Sequence, residues 1–388
     1  MEFKYEKPVL TIFPEGSIDS TNAESVGTEM AEIRNKNPHD ILILDLDALR
    51  YISSAGLRQI LQLKKQEKDF SIINASTDVY DIFDMTGFTE MMNIKKAFRK
   101  ISLEGCEVIG EGSNGIVYRY SPDTIVKVYR DQDALDDIQR ERDLSRKALI
   151  LGINTAIPFD TVIADGFYAS VFELLNVKSI SKHMADDPEN IDKYIQILVD
   201  LLKEIHGTEV KPGDFPSVKE RTVDYCTFLK DKKALPEETS NKLVDMITSM
   251  PEDYHLIHGD YHTNNVMYTN GETLLIDMDT LAYGNPVFDF ANMANAYHGF
   301  GVVDKDKVEK FMKMDWDTCQ YILNKTFELY FTGKTPEEIE EIKAKAEIVG
   351  YVRLLRRTLR REPVDNTLAQ ACTKELIEKI AKVDSLSI

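Results

Sequence analysis

The chain has 388 residues, 29% of them charged, and a formal net charge of -19 at pH 7. This length allows more than one domain, and the acidic balance argues against nucleic-acid binding because phosphate backbones attract basic surfaces. No apolar run approaches a membrane span, the first residues lack a signal-peptide core, and the four cysteines are too scattered for a disulfide frame or metal knuckle. We expect a cytoplasmic protein of two domains that binds neither nucleic acid nor membrane.

The first hundred residues predict a compact α/β unit. A buried-type strand at residues 41–46 leads into a serine-bearing turn at 53–57, and an amphipathic helix follows. Together with the segments at 16–23 and 81–88, this ordered pattern resembles the STAS domain, the anti-sigma-factor-antagonist fold. The resemblance covers nearly all of residues 1–100 and implies a regulatory or docking module with a protein partner.

Ser54 lies in that turn. In the STAS family a serine at this place is the phosphoacceptor, so the resemblance implies that role for Ser54. A phosphate there would be stabilised by the free N–H groups and the dipole of the helix N-terminus. Ser53 departs from the pattern, because antagonists often have aspartate at that position. The alternative is that Ser54 only caps the helix, which is worth about 1 kcal/mol. Both roles stay open.

A glycine pattern, Gly-x-Gly-x-x-Gly-x-Val, spans residues 110–117. The same glycines can begin a dinucleotide-binding unit, but a helix should then follow, and here strand-type residues follow at 117–120 and 125–129. This favours a glycine flap over nucleotide phosphates, with Lys127 on the next strand contacting the α- and β-phosphates. A solvated strand lysine is the alternative. The candidate nucleotide-binding residues of this region are Gly110, Gly112, Ser113, Asn114, Gly115, Val117 and Lys127.

The middle of the chain predicts one charged helix and the end of a small lobe. Residues 134–151 are strongly charged with periodic apolar positions, which indicates a helix. Residues 161–163 and 168–175 predict a last strand pair that runs into a hinge. The chain beyond is mostly helical, and the apolar stripe from 191 to 205 has the three-four spacing of a core-facing helix.

The segment at residues 257–265, Ile-His-Gly-Asp-Tyr-His-Thr-Asn-Asn, is the most informative part of the chain. Phosphoryl transfer needs a carboxylate that orients the acceptor and oxygen ligands for magnesium, and Asp260, Asn265 and Asp277 are the right residue types. The Asn-Gly pair at 270–271 predicts a hairpin. A three-residue turn would place Asn265 directly opposite Asp277, whereas a two-residue turn shifts the pairing by one. Hard oxygen donors favour magnesium over zinc.

This segment resembles the catalytic loop of the aminoglycoside phosphotransferase and choline kinase-like families. Their pattern is His-Gly-Asp-x-His-x-x-Asn followed by Ile-Asp, and every fixed position is matched. The resemblance implies that Asp260 is the catalytic aspartate facing the acceptor hydroxyl, and that Asn265 and Asp277 are the metal ligands. It also implies that Asp289 stabilises the loop.

The same resemblance assigns two further groups on the nucleotide side. A helical glutamate pairs with the strand lysine in kinase-like folds, and Glu141 is our choice, with Asp137 and Asp143 as alternatives. The main chain of Glu173 and Leu175 is expected to hydrogen-bond adenine.

A basic cluster lies at residues 353–361, on a long helix that is predicted to begin at Pro336 after the capping residue Thr335. The arginine spacings place the cluster on one face. It would bind an anionic partner or substrate group, or it would pair with the protein's own carboxylates, and we favour the second.

Taken together, the sequence predicts an α/β STAS domain at residues 1–100 and an α+β bilobal protein-kinase-like domain at 101–388. The small β-rich lobe is 101–176 and the helical lobe 177–388. The expected activity is ATP- and Mg²⁺-dependent phosphoryl transfer to a hydroxyl of a small molecule, and the net negative charge would suit a cationic acceptor. The alternative is a signalling protein that phosphorylates protein, possibly its own Ser54, or that only senses nucleotide.

Overall fold

The computed structural model describes residues 1–112, 115–131, 133–175 and 177–388. It divides into two compact units, of which the first is Met1–Glu104 with Thr161–Gly166 and the second is Gly105–Asp160 with Phe167–Ile388. The domain boundary that the sequence predicts at residues 100 and 101 stays a prediction. In the described parts of the chain, every helix is too short or too polar to span a bilayer.

The first unit is a mostly parallel sheet packed against helices. Its strands are β1 (Glu2–Glu6), β2 (Val9–Phe13), β3 (Gly16–Ile18), β4 (Ile41–Asp45), β5 (Leu49–Ile52), β6 (Asp69–Ala75), β7 (Asn93–Lys96) and β8 (Arg99–Ile101). Its helices are α1 (Ala23–Lys36), α2 (Ser54–Gln66), α3 (Thr77–Met85) and α4 (Phe88–Met91). The main sheet has the order β1-β2-β4-β6-β7, antiparallel between β1 and β2 and parallel elsewhere. Period-two alternation along β4 buries Leu42 and Leu44.

The second unit begins with a small antiparallel sheet and one helix. Its strands are β9 (Glu107–Glu111), β10 (Gly115–Ser121), β11 (Thr124–Tyr129) and β13 (Phe167–Glu173), and its helix is α5 (Leu135–Ile150). Strand β12 (Asp160–Ala164) lies between α5 and β13 in the chain. Strands β9, β10, β11 and β13 are antiparallel neighbours. A strand and not a helix therefore follows the glycine pattern, as predicted. Residues 162–164 of β12 pair in parallel with β8, so most of β12 belongs to the first unit.

The rest of the second unit is mainly helical. Its helices are α6 (Ile180–Asp186), α7 (Ile191–His206), α8 (Val218–Asp231), α9 (Glu237–Thr248), α10 (Val287–Tyr297), α11 (Lys305–Met312), α12 (Trp316–Tyr330), α13 (Pro336–Arg360) and α14 (Asn366–Ile380). Its short strands are β14 (Lys178–Ser179), β15 (Leu256–Ile257), β16 (Val266–Thr269), β17 (Glu272–Leu275) and β18 (Ala282–Tyr283). Helix α13 begins where predicted, because Thr335 and Glu338 form a capping box before Pro336. The two-part fold class predicted from sequence is confirmed.

Candidate active site

The catalytic loop, residues 257–265, is held in place by a buried carboxylate. Asp289, in the first turn of α10, accepts hydrogen bonds from the backbone N–H groups of His258 (2.9 Å) and Gly259 (2.6 Å) and lies 3.0 Å from Nε2 of His206. Burial alone would raise the pKa of Asp289, but the hydrogen bond and charge of His206 hold it below the ordinary value. The carboxylate therefore stays ionised and fixes the loop, which is the role that the resemblance implies for Asp289.

Asp260 projects from this loop with its side chain one-third exposed. Its Oδ1 lies 3.4 Å from Nη2 of Arg353 on α13, and its Oδ2 lies 3.7 Å from Nε2 of His262. Burial opposes ionisation of Asp260, but the positive charge of Arg353 and the nearby imidazole of His262 lower its pKa below the ordinary value. At neutral pH Asp260 is thus an oriented carboxylate that can accept a hydrogen bond from a hydroxyl.

The hairpin after the loop contains a two-residue turn. Val266 pairs with Leu275 and Thr269 with Glu272, and the turn residues Asn270 and Gly271 have φ values of 51° and 91°. Positive φ at both positions gives the type I′ turn that matches strand twist. Of the two registers left open by the sequence, the shifted one is therefore correct, and Asn265 faces Ile276, whose N–H donates to the Asn265 carbonyl at 3.0 Å.

Asp277 follows the hairpin in a left-handed backbone conformation, with φ 63° and ψ 59°. Non-glycine residues seldom adopt this region, and such residues cluster at functional sites because the surroundings must hold the strain. One function of the conformation is visible here, since Oδ1 of Asp277 accepts a hydrogen bond from Nζ of Lys127 at 2.8 Å.

Lys127 joins the small sheet to both acidic partners. It lies on β11, opposite Val117 and Ser170 on the neighbouring strands. Its Nζ donates to the two carboxylate oxygens of Glu141 at 3.1 and 3.2 Å as well as to Asp277. Burial would lower the pKa of Lys127, but these two carboxylates raise it well above the ordinary value. The lysine is therefore a fixed cation and not the solvated strand lysine of the alternative.

Glu141 is the only one of the three candidate helix acids that faces inward. Its side chain is 4% exposed, and it also accepts a hydrogen bond from the Tyr129 hydroxyl at 2.5 Å. Asp137 is exposed and pairs with Arg140, and Asp143 is exposed. The predicted lysine–glutamate contact is present with the chosen residue.

The described part of the glycine flap is a tight hairpin. The Gly112 N–H donates to the Gly115 carbonyl at 2.9 Å, and Gly110 lies opposite Val117. A Cβ added at Gly115 would lie 2.2 Å from the carbonyl oxygen of Val128, so only glycine allows this approach of β10 to β11. Ser113 and Asn114, both predicted nucleotide contacts, lie outside the described residues.

The predicted hinge follows β13. Glu173 is the last residue of that strand, and the next N–H, from Leu174, donates to the Asp123 carbonyl at 2.8 Å. Because extended backbone alternates direction, the main-chain groups of Glu173 point away from this contact. Adenine binding by Glu173 and Leu175 stays a prediction.

The oxygen donors fit a magnesium ion that is shared with a nucleotide. Among the described residues, no group of three or more His, Cys, Asp or Glu side chains could hold a metal unaided. Magnesium commonly takes only one or two carboxylates and completes its shell with water and phosphate oxygens. Nδ2 of Asn265 donates to the Asp260 carbonyl at 2.9 Å, so Oδ1 is the side-chain atom that would coordinate a metal ion.

Asp279 adds to the negative charge beside these donors. Burial, reinforced by the charges of Asp277 and Glu141, raises the pKa of Asp279 to about 7. A divalent cation at Asn265 and Asp277 would neutralise this excess charge. The residues present therefore fit a magnesium ion.

Fold and site together define a kinase-type phosphotransferase. The profile of the phosphotransferase enzyme family matches residues 106–307, and that of the STAS domain matches residues 1–101. The chain therefore belongs to the phosphotransferase enzyme family and carries an N-terminal STAS domain.

BtrV of Bordetella bronchiseptica, a protein named as an anti-sigma factor antagonist, is 32% identical over 84 residues, which are 21% of this chain and 72% of that protein. An ADP-bound aminoglycoside phosphotransferase, APH(2'')-Ib, is 15% identical with a TM-score of 0.49, over 79% of this chain and 99% of its own. A choline/ethanolamine kinase family protein from Mesorhizobium loti is 13% identical with a TM-score of 0.46, over 72% and 88%.

Sequence reasoning missed the position of Arg353. The favoured interpretation paired the basic cluster at residues 353–361 with the protein's own carboxylates. Arg353 does contact a carboxylate, but that carboxylate belongs to Asp260. Arg353 also donates to the Gly259 carbonyl at 2.6 Å and to Oδ1 of Asn292 on α10. The arginine spacing was the available signal, but only the packing of α13 against α10 and the catalytic loop shows where the cluster points.

The serine-bearing turn of the first unit also differs from one expectation. The Ser53 side chain accepts a hydrogen bond from the Gly56 N–H at 3.4 Å, so Ser53 is the N-cap of α2. Ser54 is the first helical residue and is exposed. The alternative in which Ser54 caps the helix is therefore wrong, because the turn places the preceding side chain over the free N–H groups.

Proposed function

We propose that this chain transfers the γ-phosphoryl group of ATP to a hydroxyl of a small molecule in the presence of magnesium, and that its STAS unit regulates the reaction or docks a protein partner. The observation that carries the proposal is the pair of contacts that Lys127 Nζ makes with Glu141 and Asp277. These contacts join β11, α5 and the proposed metal-binding aspartate. Kinase-type phosphoryl transfer requires this lysine–glutamate pair and metal aspartate to be in place together.

Each residue has a distinct part in the reaction. Lys127, held by Glu141, would contact the α- and β-phosphates, and the glycine flap would cover them. Asp260 would accept the hydrogen bond of the acceptor hydroxyl and orient its oxygen toward the γ-phosphorus. As the new phosphorus–oxygen bond forms, the bond to the β,γ-bridging oxygen breaks, ADP leaves, and the hydroxyl proton passes through Asp260 to solvent.

Asn265 and Asp277 would hold the magnesium ion. When bound, that ion supplies positive charge against the phosphate oxygens. Lys127 Nζ donates to Oδ1 of Asp277 at 2.8 Å, so the lysine head is held beside the metal-side aspartate.

The test is turnover of γ-labelled ATP with magnesium and a panel of hydroxylated small molecules. Wild type should form labelled product, and Asp260→Asn should lower kcat by about 10²–10⁴ while nucleotide affinity is kept, since general acid–base groups contribute on that scale. The matched control is Asp143→Asn, which removes an exposed carboxylate of α5 that makes no contact with Lys127. Full turnover by Asp260→Asn would remove Asp260 from the mechanism.

A second candidate is phosphorylation of protein at Ser54. The observation that favours it is the exposed Ser54 beside a helix N-terminus that Ser53 already caps. Label on the chain that is lost in both Ser54→Ala and Asp260→Asn would support self-phosphorylation. Label found only on an added small molecule would support the first proposal.

A further inference from the structure

An arginine cluster lies next to Asp260, the proposed acceptor-orienting carboxylate. Arg353 contacts Asp260 directly, and Arg221 on α8 lines the same cavity of about 40 Å³ as Arg353, together with Tyr225 and Thr280. Nη2 of Arg221 donates to the Thr280 carbonyl at 3.3 Å. The cluster therefore combines residues of α8 and α13 with the catalytic loop.

Two more arginines of α13 extend this surface. The guanidinium of Arg356 stacks on the Tyr225 ring, 4.2 Å from its centroid, and that of Arg357 lies 5.7 Å from the centroid of Phe300. Aromatic stacking orients a guanidinium while its N–H edge remains able to donate. We call Arg221, Arg353, Arg356 and Arg357 the arginine cluster.

The positive charge of the cluster is only partly neutralised. Within the ranges that the structure describes, Arg221, Arg356 and Arg357 form no ion pair with a carboxylate, and Asp260 is the partner of Arg353 alone. Burial lowers the pKa of Arg357, and the charges of Arg361 and Arg353 lower it further. Nearby carboxylates offset part of this positive charge, since Asp224 attracts Arg356, and Asp279 and Asp289 attract Arg221.

We propose that the phosphate acceptor of this chain is a small molecule that carries an anionic group, phosphate or carboxylate, close to the hydroxyl that reacts, and that the arginine cluster binds this group. The inference rests on the proposed function, because it names the acceptor class for the same site. Planar guanidinium groups bind carboxylate and phosphate oxygens in pairs, which gives orientation as well as affinity.

The net charge of -19 does not argue against an anionic acceptor. Net charge sets the long-range field, which salt screens within about 10 Å, whereas the arginine cluster acts on a group in contact with it. An anion bound there would also compete with Asp260 for Arg353. The acceptor would thereby release the carboxylate that orients its hydroxyl.

The first test measures anion binding to the full chain by calorimetry, with the nucleotide site filled by a non-hydrolysable ATP analogue and magnesium. The probes are inorganic phosphate and glycolate. Wild type should bind at least one of them, and the preferred probe shows which anion the cluster recognises. Arg356→Gln and Arg357→Gln should each weaken binding about tenfold, the usual effect of losing one charged contact of about 1.4 kcal/mol.

The matched control is Arg146→Gln, which removes the same charge at an exposed position of α5, an element that contributes no residue to the arginine cluster. It should change probe affinity less than about threefold, as for an exposed charge. Unchanged affinity for the ATP analogue shows that each variant is folded. Arg356→Lys keeps the charge but loses the planar fork, so its affinity should be intermediate.

The second test compares turnover of sugar phosphates and hydroxycarboxylates with that of neutral sugars and aminoglycosides. Preference for the anionic acceptors, with KM raised in Arg356→Gln and Arg357→Gln, supports the inference. Efficient turnover of neutral or cationic acceptors that is insensitive to both variants overturns it and leaves the proposed function standing. Binding of a phosphopeptide, but of neither probe, overturns the small-molecule acceptor. Failure to bind the ATP analogue would instead overturn the proposed function.

Discussion

The catalytic loop and the glycine hairpin face the same chemistry but are held in opposite ways. In the loop, His258 and Thr263 are fully buried, and side chains from α10 and α13 bind its backbone. In the hairpin, Val108 and Ile109 are 53% and 39% exposed. A loop fixed by buried hydrogen bonds keeps its geometry without ligand, whereas an exposed hairpin can adjust to the nucleotide. The residues proposed to orient the acceptor are thus built into the core, and the proposed nucleotide cover is not.

The largest expected effect comes from removing the buried anchor of the loop. Asp289→Ala leaves two buried backbone N–H groups and His206 without their acceptor, so we expect the free energy of unfolding to fall by about 3–5 kcal/mol. Chemical denaturation followed by circular dichroism measures this loss. A change below about 1 kcal/mol, close to the scale of an exposed site, would mean that the loop is not fixed by Asp289.

Asp289→Asn gives a pH-dependent form of the same test. The pKa of Asp289 is lowered in the folded chain, so its carboxylate stabilises the fold above the ordinary pKa of 3.8, and that stabilisation is lost as pH falls through the folded pKa. The unfolding free energies of wild type and Asp289→Asn should therefore differ most near neutral pH and converge below about pH 4. A difference that grows on acidification would contradict this assignment of charge.

A smaller effect is expected in the hairpin, and it should depend on which glycine is changed. At Gly115 a methyl group would lie 2.2 Å from a backbone oxygen, whereas at Gly112 the nearest atom is 4.0 Å away. Gly115→Ala should cost about 1–3 kcal/mol, as overpacking does, and Gly112→Ala should leave stability almost unchanged. Thermal unfolding separates the two variants. Equal losses of stability in Gly115→Ala and Gly112→Ala would mean that the close approach of β10 to β11 does not require glycine at position 115.

The smallest expected effect distinguishes a bonded serine from its exposed neighbour in the STAS unit. Ser53→Ala removes the helix cap and should destabilise the fold by about 1 kcal/mol. Ser54→Ala removes an exposed hydroxyl in the first turn and should change stability by less than about 0.5 kcal/mol. Denaturation midpoints of the two variants measure the difference. A larger loss for Ser54→Ala would return the capping role to that residue.

Sequence predicted most where local chemistry decides the structure. The Asn-Gly turn, the strand after the glycines and the Thr335 cap before Pro336 each depend on a few neighbouring residues, and each is present. Choices between adjacent residues were harder. The hairpin register depended on the turn length, and the N-cap of α2 proved to be Ser53. Both are decided by backbone angles, which residue types only bias.

The acceptor side could not be predicted in the same way. Arg221 and Arg353 are separated by 132 positions in the chain (353 - 221), and they meet because α8 and α13 pack beside the catalytic loop. The spacing of the α13 arginines predicted that they share one face of the helix, but not which part of the protein that face contacts. The contact of Lys127 with Glu141, in contrast, was predictable because both residues belong to a spaced pattern along the chain.

The left-handed backbone at Asp277 determines which substitutions there can be interpreted. Aspartate, asparagine and glycine tolerate positive φ, whereas alanine does not adopt it without steric cost. Loss of activity in Asp277→Ala would therefore mix the missing carboxylate with a shift of the chain between the hairpin and Met278. Asparagine keeps both the size and the backbone preference, so at this position it isolates the effect of charge.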